Sequence, residues 1–314
     1  MNRPLFIAGP TAVGKSAIAL TLAEKISGEI ITVDSMQVYR GLDIGTAKPT
    51  ADERKKIPHH LLDVCDLSEA FDAAQFIRLA EKAVAEIQLR NKTPIFCGGT
   101  GLYFKAFLDG LGEAPPADEK LRAELEAAPF AALLAELRER DPATYEKIDK
   151  QNPRRVIRAM EVIRLTGKKF FEQRAAWQVG SSRCDDRTAQ RAVPTIFCFT
   201  RSAEDLHRRI NARVDEMFAR GLVEEARGLL QRGLAENKFA MQAIGDRQVV
   251  EHLRGERDLA ATIELVKIRT RQFAKRQLTW FRRHGNCQWI ELKPDCVSAE
   301  ILSGFFIEAG TPTY

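Results

Sequence analysis

A glycine-rich loop near the start of the sequence constrains the fold more than any other feature. Residues 9–16 read Gly-Pro-Thr-Ala-Val-Gly-Lys-Ser and follow Leu5-Phe6-Ile7-Ala8, a short apolar run typical of a buried strand. Ile18, Leu22 and Ile26 then recur at helical spacing. The pattern predicts a strand, a loop and a helix, with backbone N–H groups and the positive helix end surrounding an anion. We call residues 9–16 the phosphate loop; the alternative is a glycine-rich turn that binds nothing.

A phosphate loop does not by itself identify a reaction. Kinases, nucleoside triphosphatases and transferases that expel diphosphate all bind phosphates in such loops. In this loop Lys15 is expected to reach the outer phosphates and Ser16 to bind Mg²⁺, which makes Mg²⁺ the expected cofactor. The reaction must therefore be inferred from the rest of the chain.

Composition and cysteine spacing exclude several classes of protein. No apolar run approaches the roughly 20 residues needed to span a bilayer, so we expect a cytoplasmic protein without a membrane segment. The six cysteines include no Cys-x-x-Cys pair and no spacing with histidine that is typical of a zinc site. We therefore expect reduced thiols, most of which are packing residues. The net charge of +5 is modest, and we expect the 314-residue chain to act as a monomer.

Strand-like and helical segments alternate along the chain. Apolar runs at 5–8, 29–33, 94–97 and 194–199 are separated by helical patterns, as in a parallel sheet with helices on both faces. We predict an α/β fold: a P-loop-containing parallel sheet core with a helical C-terminal part (residues 1–111 and 192–314) and a helical insertion domain (residues 112–191). The C-terminal part is predicted to stay helical to about residue 285 and to end in a strand at 288–292.

Two polar residues follow predicted strands and are expected at the ligand-binding edge of the sheet. Asp34 ends the second strand, where it is either a general base or a group that binds Mg²⁺ through water or caps a helix. Thr100 lies in a second glycine-rich turn, Gly98-Gly99-Thr100-Gly101, whose glycines allow a close approach to the backbone. Its hydroxyl either bonds substrate or caps the following helix.

A first basic segment lies in the predicted insertion. Residues 150–191 contain eleven Lys or Arg against four Asp or Glu, a balance that suits nucleic-acid phosphates. Asn152-Pro153 predicts a helix start, and the apolar face of that helix is Val156, Met160 and Ile163. Such a segment is also compatible with a solvated helix face.

A second basic segment lies in the C-terminal part. Residues 266–290 contain no acidic side chain, and their basic residues are interleaved with Phe273, Trp280 and Phe281. This pattern suits a nucleic-acid strand with exposed bases. The aromatic side chains are equally compatible with a place in the core.

Six motifs occur in order along the chain. They are the phosphate loop, Asp34-Ser35-Met36-Gln37-Val38-Tyr39 with Gly45-Thr46-Ala47-Lys48-Pro49, Pro58-His59-His60, Gly98-Gly99-Thr100-Gly101-Leu102-Tyr103, Asn152-Pro153-Arg154-Arg155-Val156-Ile157-Arg158-Ala159 and Lys275-Arg276-Gln277-Leu278-Thr279-Trp280-Phe281-Arg282. Together they resemble the bacterial tRNA dimethylallyltransferases, also called tRNA isopentenyltransferases, and the resemblance covers nearly the whole chain. The resemblance implies transfer of a dimethylallyl group from dimethylallyl diphosphate to N6 of the adenosine at tRNA position 37, beside the anticodon. The products would be N6-dimethylallyladenosine and diphosphate.

The resemblance also implies roles for individual residues. Asp34 corresponds to the general base that takes the proton of the attacking amine, Thr100 to a residue that bonds the region of the target base, and Lys15 to a group that stabilises the leaving diphosphate. Ser16 would hold Mg²⁺. The residues expected to bind a prenyl diphosphate rather than ATP are Gly9, Pro10, Thr11, Ala12, Val13, Gly14, Lys15 and Ser16.

The expected partner is the anticodon stem-loop of tRNA, from which the target base must be extruded. The helical insertion is expected to grip that loop. The residues implied in tRNA contacts are Asp34, Ser35, Met36, Gln37, Thr100, Arg122, Arg154, Arg155, Val156, Ile157, Arg158, Ala243, Ile244, Gly245, Asp246, Arg247, Gln248, Lys275, Arg276, Gln277, Leu278, Thr279, Trp280, Phe281 and Arg282. Asp246 stands where the family usually has an aromatic residue. Because a carboxylate repels the tRNA backbone, Arg247 is the more favourable phosphate contact of the two.

Two other functions use the same features. A P-loop kinase acting on a small molecule or nucleotide would use the Arg-rich insertion as a lid over ATP, but it gives the long basic C-terminal segment no task. A non-catalytic RNA-binding protein would use both basic segments but gives Asp34 no proton to take.

Overall fold

A parallel sheet lies at the centre of the fold. The computed structural model describes residues 2–111, 115–170, 195–284 and 286–293. The described strands are β1 (Leu5–Ala8), β2 (Gly28–Val33), β3 (His59–His60), β4 (Thr93–Gly98), β5 (Ile196–Thr200) and β6 (Cys287–Glu291). They form one sheet in the order β3-β2-β4-β1-β5-β6, and every neighbouring pair is parallel.

Helices connect these strands. The described α-helices are α1 (Lys15–Lys25), α2 (Ala51–Lys56), α3 (Ala73–Leu89), α4 (Gly101–Asp109), α5 (Glu119–Ala127), α6 (Phe130–Arg140), α7 (Pro142–Lys147), α8 (Pro153–Thr166), α9 (Ala203–Ala219), α10 (Leu222–Gln231), α11 (Asp246–Leu253) and α12 (Leu259–His284). Two 3₁₀ helices, Leu234–Glu236 and Ala240–Gln242, lie between α10 and α11. None of the helices in the described ranges is both long enough and apolar enough to cross a membrane.

The predicted α/β class is confirmed, and the predicted strands agree with the structure to within two residues. The sequence did not predict β3, because two histidines are too short to give an alternating pattern. The core of the sheet packs residues from several strands and helices, including Ile7, Leu22, Ile95 and Phe199, all fully buried. The sheet therefore provides a rigid base for the loops at its edge.

The register of the sheet brings four strand ends together. Ala8 lies opposite Gly98, and Gly98 lies opposite Val33 on the other side of β4. Ala8 also lies opposite Cys198 of β5. Because all of these strands are parallel, the segments that follow them emerge at the same carboxyl edge, where open α/β sheets bind their ligands. The phosphate loop, Asp34 and Thr100 are three such segments.

The backbone contacts divide the chain into one unit of residues 1–105 and 191–314 and a second of residues 106–190. The second unit has its own apolar core, formed where α5 and α6 pack on α8, and its buried residues include Leu125, Leu133, Leu137 and Met160. The predicted division at 112–191 stays a prediction. Residues 112–114 and 171–191 of the predicted insertion lie outside the described residues, and with them Arg174, Arg183, Arg187 and Arg191 of the basic segment.

Helix α8 begins where its sequence predicts, and a glycine ends it. The Asn152 side chain accepts a hydrogen bond from the Arg155 N–H at 3.4 Å, and Pro153 occupies the first helical turn, where its missing N–H costs nothing. Gly167 ends the helix in the left-handed conformation, with φ 68°. The predicted apolar face is confirmed, since Val156 and Ile163 are buried in the core of the second unit.

Candidate functional site

The phosphate loop joins β1 to α1, so the predicted strand, loop and helix are all present. Gly14 ends the loop at φ 106°, a conformation that favours glycine, and α1 begins at Lys15. A Cβ on Gly9 would lie 2.7 Å from the carbonyl oxygen of Phe199, so the loop passes close to β5. Lys15 Nζ donates to the Pro10 carbonyl at 3.3 Å, across the mouth of the loop. The loop thus presents an ammonium group and a helix N-terminus at one place.

Two arginines contact this loop: Arg201, which follows β5, and Arg209 of α9. Arg201 Nε donates to the Val13 carbonyl at 2.8 Å, and Arg209 Nε donates to the Ala12 carbonyl at 2.9 Å. Arg201 is also paired with the buried Asp205 at 2.8 Å, which fixes its guanidinium. Both arginines therefore hold the shape of the phosphate loop through its carbonyl groups.

Arg213 lies one turn beyond Arg209, near Lys15, and its guanidinium forms no ion pair with any residue that the structure describes. Burial lowers the pKa of Arg213, and Arg209 lowers it further. Burial also lowers the pKa of Lys15, which Cys97 and Asp34 raise and Arg213 lowers. Two desolvated cations side by side favour an anion between them. Arg209 and Arg213 were not predicted from the sequence. The pattern that indicates them is their spacing of four on a helix whose preceding strand ends at the carboxyl edge of the sheet.

Asp34 follows β2 and begins a tight turn. Its Oδ1 accepts hydrogen bonds from the N–H groups of Met36 at 2.8 Å and Gln37 at 3.3 Å. Both bonds engage Oδ1, and no donor among the described residues bonds Oδ2. Burial raises the pKa of Asp34, while these N–H groups, Lys15 and Lys48 lower it. The carboxylate is thus held by its own turn, close enough to Lys15 for the two charges to interact, with one oxygen left to accept a proton.

The Thr100 hydroxyl connects two of the edge segments. Its Oγ1 accepts a hydrogen bond from the Ser35 N–H at 3.2 Å, so it fixes the turn that carries Asp34. It does not cap α4 through its side chain; the Thr100 carbonyl accepts instead from the N–H of Tyr103 at 3.0 Å. A hydroxyl that accepts one bond still has a hydrogen to donate. The predicted bond to substrate remains compatible with this geometry.

Other residues of the chain pack closely against the glycines of the second glycine-rich turn. A Cβ on Gly98 would overlap the backbone of Val33, one on Gly99 would overlap the Gln277 amide, and one on Gly101 would overlap the Trp280 ring. The close approach predicted from the sequence is therefore made, in this structure, by β2 and by α12. Helix α12 packs directly against the turn that contains Thr100.

Comparisons with known proteins show the family of the chain. The family model described as IPP transferase matches residues 37–284. A tRNA dimethylallyltransferase of Trichlorobacter lovleyi is 47% identical over 92% of this chain and 93% of its own length. A tRNA dimethylallyltransferase of Geobacillus kaustophilus is 45% identical over 91% of this chain and 89% of its own. The chain belongs to the IPP transferase family.

Solved structures of the family have the same fold. A tRNA isopentenylpyrophosphate transferase from Bacillus halodurans matches with a TM-score of 0.70 and 39% identity, over 99% of this chain and 96% of that one. A eukaryotic dimethylallyltransferase acting on tRNA matches with a TM-score of 0.80 and 28% identity, over 99% of this chain and 81% of that one. The similarity therefore extends over both units of the chain.

The segment of α12 that resembles the family's tRNA contacts has an inner and an outer face. Its buried residues are Gln277 and Phe281, and the Phe281 ring packs edge-on against Phe104 with centroids 5.9 Å apart. Trp280 is half-buried and stacks on His284 at 5.0 Å. The exposed members are Lys275, Arg276, Thr279 and Arg282, and Leu278 is half-buried. Contact with tRNA stays a prediction for all of them, and it suits the outer face better than the two buried side chains.

The segment 243–248 departs from its expected exposure. Arg247 is exposed and pairs with Glu251 at 3.0 Å, whereas Ala243, Gly245 and Gln248 are buried and Ile244 is half-buried. The Gln248 side chain accepts a hydrogen bond from the Gly245 N–H at 3.0 Å. Among these residues the geometry therefore favours Arg247 as a contact for a tRNA phosphate.

Asp246 does not face solvent at all. Its side chain is fully buried at the first position of α11, and neither carboxylate oxygen has a hydrogen-bond partner among the residues that the structure describes. A Cβ on Gly45 would overlap the carboxyl group, so the two residues are complementary in shape. Burial first, and then Glu225, raise the pKa of Asp246 to about 8. The repulsion from a tRNA backbone that the sequence suggested does not fit a side chain buried in this way.

The predicted contacts of the second unit are organised by one buried carboxylate. Glu161 is fully buried and pairs with Arg122 at 2.7 Å and with Arg158 at 2.6 Å. Arg158 also donates to the Pro115 carbonyl at 2.6 Å. Arg154 and Arg155 are exposed, whereas Val156 is buried and Ile157 half-buried. The structure thus brings Arg122 next to Arg158, although 36 positions separate them in the sequence.

Proposed function

We propose that this enzyme, a tRNA dimethylallyltransferase, transfers the dimethylallyl group of dimethylallyl diphosphate to N6 of adenosine 37 of tRNA. The observation that carries the proposal is the meeting, at one edge of the sheet, of the phosphate loop, the cations of Lys15 and Arg213, and the half-buried carboxylate of Asp34. An alkylation that expels diphosphate needs both an anion site for the leaving group and a base for the nucleophile.

The donor diphosphate fits the phosphate loop. As the allylic carbon–oxygen bond breaks, negative charge develops on the diphosphate, and the N-terminus of α1, Lys15 and Arg213 are placed to stabilise it. Because the cations are desolvated, they interact with that charge more strongly than they would in water. This arrangement favours the leaving group over the intact substrate.

A magnesium ion is compatible with the same loop. Ser16 is exposed in the first turn of α1, and Mg²⁺ prefers oxygen ligands and keeps several waters. No cluster of three His, Cys, Asp or Glu side chains suited to a metal occurs among the described residues. Mg²⁺ would therefore depend on the Ser16 hydroxyl and the phosphate oxygens of the donor, where it would neutralise charge on the leaving group.

Asp34 is proposed as the general base. The adenine amine attacks the allylic carbon, the carbon–oxygen bond to diphosphate breaks, and the N6 proton passes to Asp34 Oδ2. A carboxylate whose pKa is raised by burial holds such a proton better than a solvated one, which suits it to this role. The turn at Met36 and Gln37 keeps Oδ1 engaged and aims the second oxygen. Thr100 steadies that turn through Ser35.

The tRNA contacts belong to the same proposal. The exposed residues Arg247, Lys275, Arg276 and Arg282 in the first unit, and Arg154 and Arg155 in the second, carry the charge that suits phosphates. Half-buried Trp280 offers an aromatic edge for a base. The kinase alternative is not better supported, since the family members are named as tRNA transferases. A cytoplasmic location and a monomeric state stay predictions.

The test is a transfer assay with two labelled donors. The purified protein is incubated with Mg²⁺ and an unmodified tRNA that carries adenosine at positions 36 and 37, and with labelled dimethylallyl diphosphate or labelled ATP in parallel. We expect label to move from the prenyl donor to the tRNA. Consumption of ATP with unlabelled tRNA would refute the proposal.

Two variants make the assay specific for the base. Asp34→Asn keeps the size of the side chain but cannot take the proton, so transfer should fall at least about a hundredfold while tRNA binding stays within a factor of about two. Asp52→Asn is the matched control, because the Asp52 side chain is exposed on α2. Equal rates for Asp34→Asn and the wild type would remove Asp34 from the mechanism.

A further inference from the structure

Gln277 joins the two glycine-rich loops of the site. It lies on α12 with its side chain buried, and its Oε1 accepts a hydrogen bond from the Thr11 N–H of the phosphate loop at 2.9 Å. Its Nε2 donates to the Gly99 carbonyl at 3.0 Å. Both ends of the amide are therefore engaged with main-chain groups, and the side chain has little capacity left for an external ligand.

The surroundings of Gln277 are fitted to this amide. A Cβ on Gly99 would overlap Nε2, so only glycine allows the approach, and Trp280 packs against Gly101 one helical turn later. Between these two glycines lies Thr100, whose hydroxyl holds the Ser35 N–H beside Asp34. The Gln277 side chain thus contacts both the phosphate loop and the turn of Gly99 and Thr100. The second of these is hydrogen-bonded to the segment that carries Asp34.

We propose that Gln277 is a positioning residue for the transfer reaction, one that sets the phosphate loop against the Gly99 turn and does not contact tRNA. The inference rests on the proposed function. It reassigns Gln277, which the family resemblance groups with the tRNA contacts. Because the Thr11 N–H is engaged by Gln277, the donor diphosphate is bound by the other N–H groups of the loop and by the cations beside it.

A mechanical consequence follows for α12. Its outer face carries Lys275, Arg276 and Arg282, and its inner face holds the phosphate loop through Gln277. A tRNA bound to the outer face would therefore bias the same rigid helix that shapes the donor site. Loss of the Gln277 amide should impair donor binding and the chemical step far more than tRNA binding.

The first test replaces the amide by an apolar group of similar size. Gln277→Met removes the donor and the acceptor while keeping the helix propensity, and Gln272→Met is the matched control on the exposed side of the same helix. We expect Gln277→Met to lower kcat/KM for dimethylallyl diphosphate roughly tenfold and to weaken the affinity for inorganic diphosphate by a similar factor. The Kd for tRNA should stay within about twofold of the wild type, and the control should match the wild type throughout.

Two results would overturn the assignment. One is a tRNA Kd weakened about tenfold with unchanged donor kinetics, which would make Gln277 a tRNA contact. The other is a folded Gln277→Met protein with unchanged diphosphate affinity. The affinity for inorganic diphosphate can be measured without any turnover, so it tests the positioning role by itself. A wild-type protein that transfers no prenyl group would refute the proposed function and would leave this test intact.

A second variant covers the case in which Gln277→Met does not fold. Gln277→Glu keeps an acceptor for Thr11, and its carboxyl group can donate to the Gly99 carbonyl only when protonated. Its diphosphate affinity, relative to that of Gln272→Glu, should rise as the pH falls from about 8 to about 6. A ratio that does not change with pH would contradict the proposed bond to Gly99.

Discussion

Replacing Asp246 by asparagine should stabilise the protein, and the gain should grow with pH. The carboxyl group is fully buried, and neither oxygen has a hydrogen-bond partner in the described part of the chain. Burial, together with Glu225, raises its pKa from 3.8 to about 8. Between these two values the unfolded chain has released a proton that the folded chain retains. The contribution of this carboxyl group to the free energy of unfolding is fully present below the pKa that Asp246 has in the unfolded state. It then falls by about 1.4 kcal/mol per pH unit until the pH passes the pKa that Asp246 has in the folded state.

The size of the effect follows from this interval. Neutral pH lies about three units above the unfolded pKa, so retaining the proton costs the wild type about 4 kcal/mol at that pH. Movement of the loop around Gly45 or entry of water would reduce the cost. Asparagine has no proton to retain, and it fills nearly the same volume against Gly45. The stability of Asp246→Asn should thus exceed that of the wild type most clearly near pH 8.

The assay is urea unfolding followed by circular dichroism at about pH 5, 6, 7 and 8. The difference in unfolding free energy between Asp246→Asn and the wild type should rise by about 1.4 kcal/mol for each pH unit from about pH 5 to 7, and less steeply near pH 8. Asp52→Asn, whose side chain is exposed, should show no such slope. A difference that is constant over this range, or that falls as the pH rises, would mean that Asp246 is ionised in the folded protein and would refute the reasoning.

Three further predictions concern the site. Arg213→Ala should raise the KM for dimethylallyl diphosphate roughly tenfold, because it removes a desolvated cation beside Lys15. The control Arg220→Ala, at the exposed end of α9, should leave this KM unchanged in the same steady-state kinetic assay. Gly101→Ala should destabilise the protein by displacing Trp280, whereas Gly228→Ala, which meets open space in α10, should stabilise it slightly; thermal unfolding measures both. The single-turnover rate should rise with pH through the raised pKa of Asp34, since only the ionised carboxylate is a base, and this acid limb should be absent in Asp34→Asn.

Local patterns in the sequence were enough to predict the sheet and its ligand edge. Alternating apolar runs marked the strands, and the parallel arrangement then placed the phosphate loop, Asp34 and Thr100 at one edge, as the register of β1, β2 and β4 confirms. The strand β3 was missed because two residues carry no periodicity. The strands that were predicted have a recognisable pattern within a few neighbouring residues, and β3 has none.

The remaining features depend on contacts between distant parts of the chain. Arg213 reaches the site from a helix almost two hundred residues after the phosphate loop, and the reason for Gly99 is a side chain on α12. Asp246 was expected among the tRNA contacts because of the family resemblance, but its position at the start of α11 turns it towards Gly45. Only the folded packing of these helices determines such roles.

The bond between Thr11 and Gln277 also bears on how the protein is made. It joins residues 266 positions apart, and the bond from Gln277 to Gly99 spans another 178. Synthesis proceeds from the N-terminus, so the ribosome completes β1 and the phosphate loop long before α12 leaves the exit tunnel. Such distant closures are slow steps in folding. During translation the phosphate loop therefore stays without its Gln277 contact until α12, the last helix of the described residues, has been made. A nascent chain that stops before α12 has no assembled site.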